Sequence, residues 1–88
     1  SHHCQARIEG CGTLAIAFDT KEEKVMSVAL SGDYFELGDA NAVFNNAFSG
    51  CPFTKEDLTR YSTEHTPNRA IRGLGTAELC SLLEKLFE

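Results

Sequence analysis

Eighty-eight residues, 42% hydrophobic and 24% charged, are enough for one small globular domain with a modest core and little stability to spare. The formal charge of -5, with only eight Lys and Arg spread along the chain, argues against a nucleic-acid surface, which needs clustered cations facing phosphate. No apolar run approaches the roughly 20 residues needed to cross a bilayer and no stretch resembles a secretory signal, so a cytoplasmic location is expected.

The chain opens Ser1-His2-His3 with no initiator Met, and its one Met is Met26. Residues 1–3 therefore read as a tag remnant, leaving 4–88 as a single domain and the chain as a candidate fragment of a longer protein. Cys4, Cys11, Cys51 and Cys80 are even in number, as bridges would require. The regular hydrophobic periodicity supplies a core without staples, so free thiols in a reducing compartment are expected.

Cys4 to Glu9 alternates polar residues with Ala6 and Ile8, the pattern of a half-buried strand. Gly10-Cys11-Gly12 then makes either a turn that doubles the chain back or a bulge within one long strand. Thr13 to Asp19 resumes the alternation, with Leu14, Ile16 and Phe18 on one face and Ala15 and Ala17 on the other. Small residues opposite large ones suggest a second face that is also partly covered. Thr20 to Lys24 is a charged connection of hairpin length, and Val25 to Leu30 returns beside the previous strand. An antiparallel meander of two or three strands results.

The strand pattern breaks at Ser31-Gly32-Asp33, which reads as the pivot between strands and helices. Asp39 caps an expected helix over Ala40 to Ser49, and Gly50 stands where a left-handed residue ends it. After Cys51-Pro52-Phe53, Thr54 starts a second helix, about Lys55 to Glu64, with Glu56 and Asp57 near the positive end of its dipole. Only Leu58 and Tyr61 are large and apolar there, so this helix belongs at the surface. Thr66-Pro67-Asn68 ends it, and Arg69 to Gly75 is irregular, with Ile71 and Leu74 docking on the core. Thr76 is the expected cap of the last helix, whose Leu79, Leu82, Leu83, Leu86 and Phe87 fall on one face. Strands first and helices afterwards give an α+β, two-layer domain: a small antiparallel sheet of about three strands, then three helices packed on one face.

The order of these pieces, Gly32-Asp33-Tyr34-Phe35 after the last strand, a helix closed by Ser49-Gly50, then Cys51-Pro52-Phe53 and the Thr54 cap, resembles the C-terminal accessory domain of bacterial lipoate–protein ligase. The resemblance runs from about Gly10 to Phe87. It implies a fold similar to that of iron–sulfur scaffold and sulfur-acceptor proteins. It also implies a partner: a ligase catalytic domain, in the same chain or a separate subunit, that uses ATP, Mg and lipoate to make lipoyl-adenylate and passes the lipoyl group to a lysine of an acceptor domain. This domain would bind no cofactor itself. None of the ligase's lipoate-binding Gly-rich or catalytic Lys segments is recognisable, so no catalytic residue is expected here.

Candidate sites follow from exposed turns. Asp33 beside Gly32 either aims a carboxylate at the partner or its Mg-ATP or satisfies a turn. Tyr34 and Phe35 offer docking surface, one of them being core. Arg69 and Arg72 straddle an irregular loop and could meet an adenylate phosphate or an acidic patch; solvated loop arginines are the plain alternative. His65 near a helix end is explained by the helix dipole. A competing reading is a sulfur-handling or Fe–S scaffold module using Cys11 in its Gly-flanked turn and Cys51 before Pro52, with Cys80 on the last helix. Against it, no C-x-x-C pair exists and Ser31 stands where a scaffold would carry a cysteine. A third is an interaction domain of no enzymatic pathway.

Overall fold

Leu14, Ile16 and Phe18, alternating along one strand, are completely buried, and the rest of the chain is arranged to cover them. In the computed structural model, which describes residues 2–88, β1 (His2–Ile8), β2 (Gly12–Lys21) and β3 (Lys24–Asp33) form an antiparallel sheet in the order β1-β2-β3. Three helices follow: α1 (Ala40–Phe48), α2 (Lys55–His65) and α3 (Thr76–Glu84). The α+β architecture is therefore as its sequence order suggests. Its first strand begins at His2, earlier than the alternation from Cys4 indicates, because His2 and His3 pair with Phe18 and Ala17.

Both hairpins are tighter than their composition suggests. Gly10-Cys11-Gly12 doubles the chain back, as one of the two alternatives required, with the Cys11 N–H bonded to the Ile8 carbonyl at 3.0 Å. The charged connection between β2 and β3 shrinks to Glu22-Glu23, both with positive φ (53° and 65°), since Lys21 and Lys24 already pair. Glutamates thus occupy a turn whose twist suits the hairpin and whose dihedrals favour Asn and Gly. A register shift beside Asp19 and Thr20 leaves Met26 unpaired and 57% exposed while Val25 and Val28 both face inward. Such a bulge restores the alternation that an extra residue would otherwise reverse.

The helices cover one face. Phe44 and Phe48 of α1 are fully buried, and the Phe48 ring meets Phe18 edge-on at 5.6 Å; each such side chain contributes about 1.5–3 kcal/mol on burial. Leu58 of α2 and Leu79, Leu82 and Leu83 of α3 complete the core. On the other face Ala15 and Ala17 are half-buried while their partners Ala29 and Ser31 are exposed. That face is open among the described residues, so the small residues opposite large ones do not mark a second covered layer.

Caps explain where α1 and α2 begin. Asp39 accepts from the Ala42 N–H at 3.1 Å and Thr54 from the Asp57 N–H at 3.1 Å, and Gly50 closes α1 with a φ of 78°. The start of α3 departs from expectation. Gly75, not Thr76, is the N-cap, and its N–H is satisfied by Glu78 Oε1 at 2.8 Å. The Thr76 hydroxyl instead donates to Asn68 Oδ1 at 3.2 Å, tying the helix to the preceding loop. Leu86 and Phe87 lie not on α3 but in a 3-10 turn over Lys85–Phe87, where the Phe87 ring meets that of Phe53 at a tilt with centroids 5.2 Å apart.

Candidate partner-docking site

Past β3 the chain stays extended for a few residues and finds a second partner. The Arg72 N–H bonds to the Phe35 carbonyl at 3.0 Å and the Leu37 N–H to the Ala70 carbonyl at 2.8 Å, with Glu36 and Ile71 facing each other between them. Side chains alternate across such a ladder. Ile71, 2% exposed, anchors the inner side, and the Glu36 carboxylate turns back to accept from the Ala40 N–H at 3.3 Å. Phe35 and Leu37 are left outside, 70% and 58% exposed. The Arg72 guanidinium lies over the Phe35 ring, 5.7 Å from its centroid, a favourable cation–π position.

Two stretches far apart in sequence are thereby joined. Of the candidate residues, Arg72 comes to the same patch as the segment after Tyr34, while Arg69 is exposed three residues earlier, on the 3-10 turn Pro67–Ala70. Tyr34 is half-buried; burial first, and then the carboxylate of Glu36 and the thiol of Cys11, push its phenol above its ordinary range. Of the aromatic pair, then, Tyr34 leans inward and Phe35 is the surface residue. Leu37 is an addition, signalled only by its position two residues beyond Phe35 in an alternating run.

Gly32 and Asp33 are not the turn that their types suggest. Both lie in β3, opposite Leu14 and Thr13. Gly32 adopts a φ of 129°, and a Cβ there would overlap the Thr13 carbonyl oxygen, so glycine serves close approach of two strands rather than reversal of the chain. Asp33 is exposed at the end of the strand, two residues before Phe35. The break from sheet to helix comes later, after Leu37.

The thiols occupy other ground. All four cysteines are free. Cys51 is fully buried and its Sγ donates to the Pro52 carbonyl at 3.3 Å; burial, reinforced by the nearby Asp57 carboxylate, raises its pKa from 9.0 to about 11. Burial lifts Cys11 as well, with Glu78 adding to it, and Cys80 likewise. These surroundings favour the protonated thiol over the nucleophilic thiolate. Among the described residues no three His, Cys, Asp or Glu side chains gather as a metal site.

A three-stranded sheet roofed by three helices, with an apolar and cationic patch where the last strand leaves the sheet, defines a small two-layer α+β domain. The family model of the bacterial lipoate protein ligase C-terminus matches residues 1–83, and the chain belongs to that family. No curated protein matches it. Membership gives the domain an accessory role in a lipoate protein ligase and association with that enzyme's catalytic domain. No helix among the described residues is long and apolar enough to cross a membrane.

Proposed function

We propose that this domain docks on the ligase catalytic domain through the Phe35, Leu37 and Arg72 patch and supports formation of lipoyl-adenylate from ATP and lipoate before transfer to an acceptor lysine. The observation that carries the reading is the short ladder between residues 35–37 and 70–72, which gives the patch a rigid backing. Exposed aromatic and arginine side chains are the types most enriched where interfaces gain their energy. Phe35 supplies the apolar anchor, Arg72 a planar cation already oriented over its ring, and Arg69 and Asp33 the charged rim. ATP, Mg and lipoate bind the partner, not this domain.

Mechanistically the domain acts as a cap. Seated on the catalytic domain it excludes water from a mixed anhydride that would otherwise hydrolyse. Lipoate-dependent exchange of pyrophosphate into ATP by the catalytic domain, measured with and without this domain added in trans, tests the role. Exchange should rise on addition; a rate unchanged by the domain's presence would refute it.

A further inference from the structure

The two edges of the sheet are treated differently. Along the first two-thirds of β3 most outward backbone groups are occupied: both of Val28 by Asn45, the Leu30 N–H by Asn41, and both of Val25 by Gly50 and Cys51. In an antiparallel ladder these groups alternate in direction from one residue to the next. Because both groups of Val28 point to the β3 edge, those of its partner Phe18 point to β1, and the register then leaves the N–H and C=O of His3, Gln5 and Arg7 pointing out of the sheet. No hydrogen bond reaches them among the described residues.

Beside this bare edge runs a groove of about 310 Å³ between β1 and α3, with Ala6, Ile8, Ala77 and Leu82 in its walls. Arg7 and Lys85 stand on it, and neither enters an ion pair, since those present among the described residues are made by Arg60 with Asp57 and Glu64. The one carboxylate lining the groove, Glu78, is held by the Gly75 N–H. On a chain of net charge -5 this leaves two cations free of ion pairs among the described residues, Lys85 at the apolar trough and Arg7, which strand alternation turns to the opposite face from Ala6 and Ile8.

We propose that β1 accepts an added strand: an extended segment of a protein partner with alternating acidic and apolar side chains, its backbone pairing with Gln5 and Arg7. Its apolar side chains enter the groove against Ala77 and Leu82 while its carboxylates, on the other face of the added strand, meet Arg7. Strand addition of this kind draws affinity from main-chain hydrogen bonds and selectivity from the pockets and charges beneath them. The surface is separate from the Phe35 patch and does not depend on how that patch is used.

A short blocked peptide alternating Glu and Val, titrated into the 15N-labelled domain, is the probe. Amide shifts should concentrate on β1 and α3, hydrogen exchange at the Gln5 and Arg7 N–H groups should slow, and the peptide in which Lys replaces Glu should bind at least about tenfold more weakly. Gln5→Pro removes one outward N–H without touching the ladder to β2 and should weaken binding by a similar factor. Should that variant not fold, the exposed Arg7→Glu tests the same edge by reversing the preference between the two peptides. Equal binding of both peptides, unslowed exchange at Gln5 and Arg7, or an edge already protected by a second copy of the chain in a β1-to-β1 dimer would overturn the proposal.

Discussion

Asn45 on α1 and Val28 on β3 exchange two hydrogen bonds, Val28 N–H to Oδ1 at 2.9 Å and Nδ2 to the Val28 carbonyl at 2.7 Å. The carboxamide stands where a neighbouring strand's peptide group would stand, and Asn41, one turn earlier, accepts from the Leu30 N–H at 3.0 Å. Asparagine in a helix interior has poor propensity, so these residues are explained by the edge they seal. Asn45→Ala leaves two partly buried backbone groups unsatisfied and should cost about 1–3 kcal/mol. Urea denaturation would report it as a lower midpoint with an unchanged slope, and an unshifted midpoint would show that water replaces the carboxamide without loss.

The Glu22-Glu23 turn is held in left-handed geometry by the strands around it. Each such non-glycine residue costs about 1–2 kcal/mol, and replacement by Asn-Gly, the pair that this turn type favours, should recover about 1 kcal/mol or more. A rise in the thermal midpoint is the expected readout. No rise would mean that the unfolded chain gains as much from the added glycine as the turn does.

Leu83, near the C-terminal end of the buried α3 face, is 2% exposed. Leu83→Ala should cost about 2–5 kcal/mol, a large share of the stability available to a domain of this size. Chemical denaturation is again the measurement, and a loss below about 1 kcal/mol would mean that the core collapses around the deletion.

Cys4 and Cys51 give the fold a pH dependence with a definite sign. Burial raises both from 9.0 to about 11, opposed at Cys4 by the Lys85 charge and reinforced at Cys51 by Asp57. Between those values the unfolded chain releases thiol protons that the folded chain keeps, so stability is fully present below pH 9 and falls as pH rises towards 11, by up to about 1.4 kcal/mol per pH unit for each thiol. Cys4→Ala and Cys51→Ala variants should each flatten that slope in denaturation curves taken across the window. A wild-type slope that the substitutions leave unchanged would place the titration on other groups.

How far the sequence disclosed this molecule depends on the range of the signal. Periodicity and caps are local, and Leu14-Ile16-Phe18, Asp39, Gly50 and Thr54 all act as their types and spacings indicate. Gly32-Asp33 misleads because glycine serves both turns and close strand contacts, and only the overlap with Thr13 separates the two uses. Thr76 misleads similarly: a hydroxyl beside a helix start caps it unless a side chain such as Asn68 competes. At and around the proposed docking patch, Arg69, Arg72, Tyr34 and Phe35 stand out in the sequence as exposed or aromatic residues near turns. The meeting of Phe35 with Arg72, and the choice of Phe35 over Tyr34 as the outward ring, comes from a pairing across more than thirty residues of chain that no local pattern encodes.

The docking assignment is tested most directly by adding the Phe35→Ala, Arg72→Glu double variant in trans to the catalytic domain and measuring lipoate-dependent pyrophosphate exchange, with circular dichroism confirming the fold. Both side chains are surface residues, so the variant should melt near the wild-type temperature yet support exchange at least about tenfold less well at equal concentration, equivalent to about 1.4 kcal/mol. Full support of exchange by the folded variant would place the contact between the two domains elsewhere on the surface.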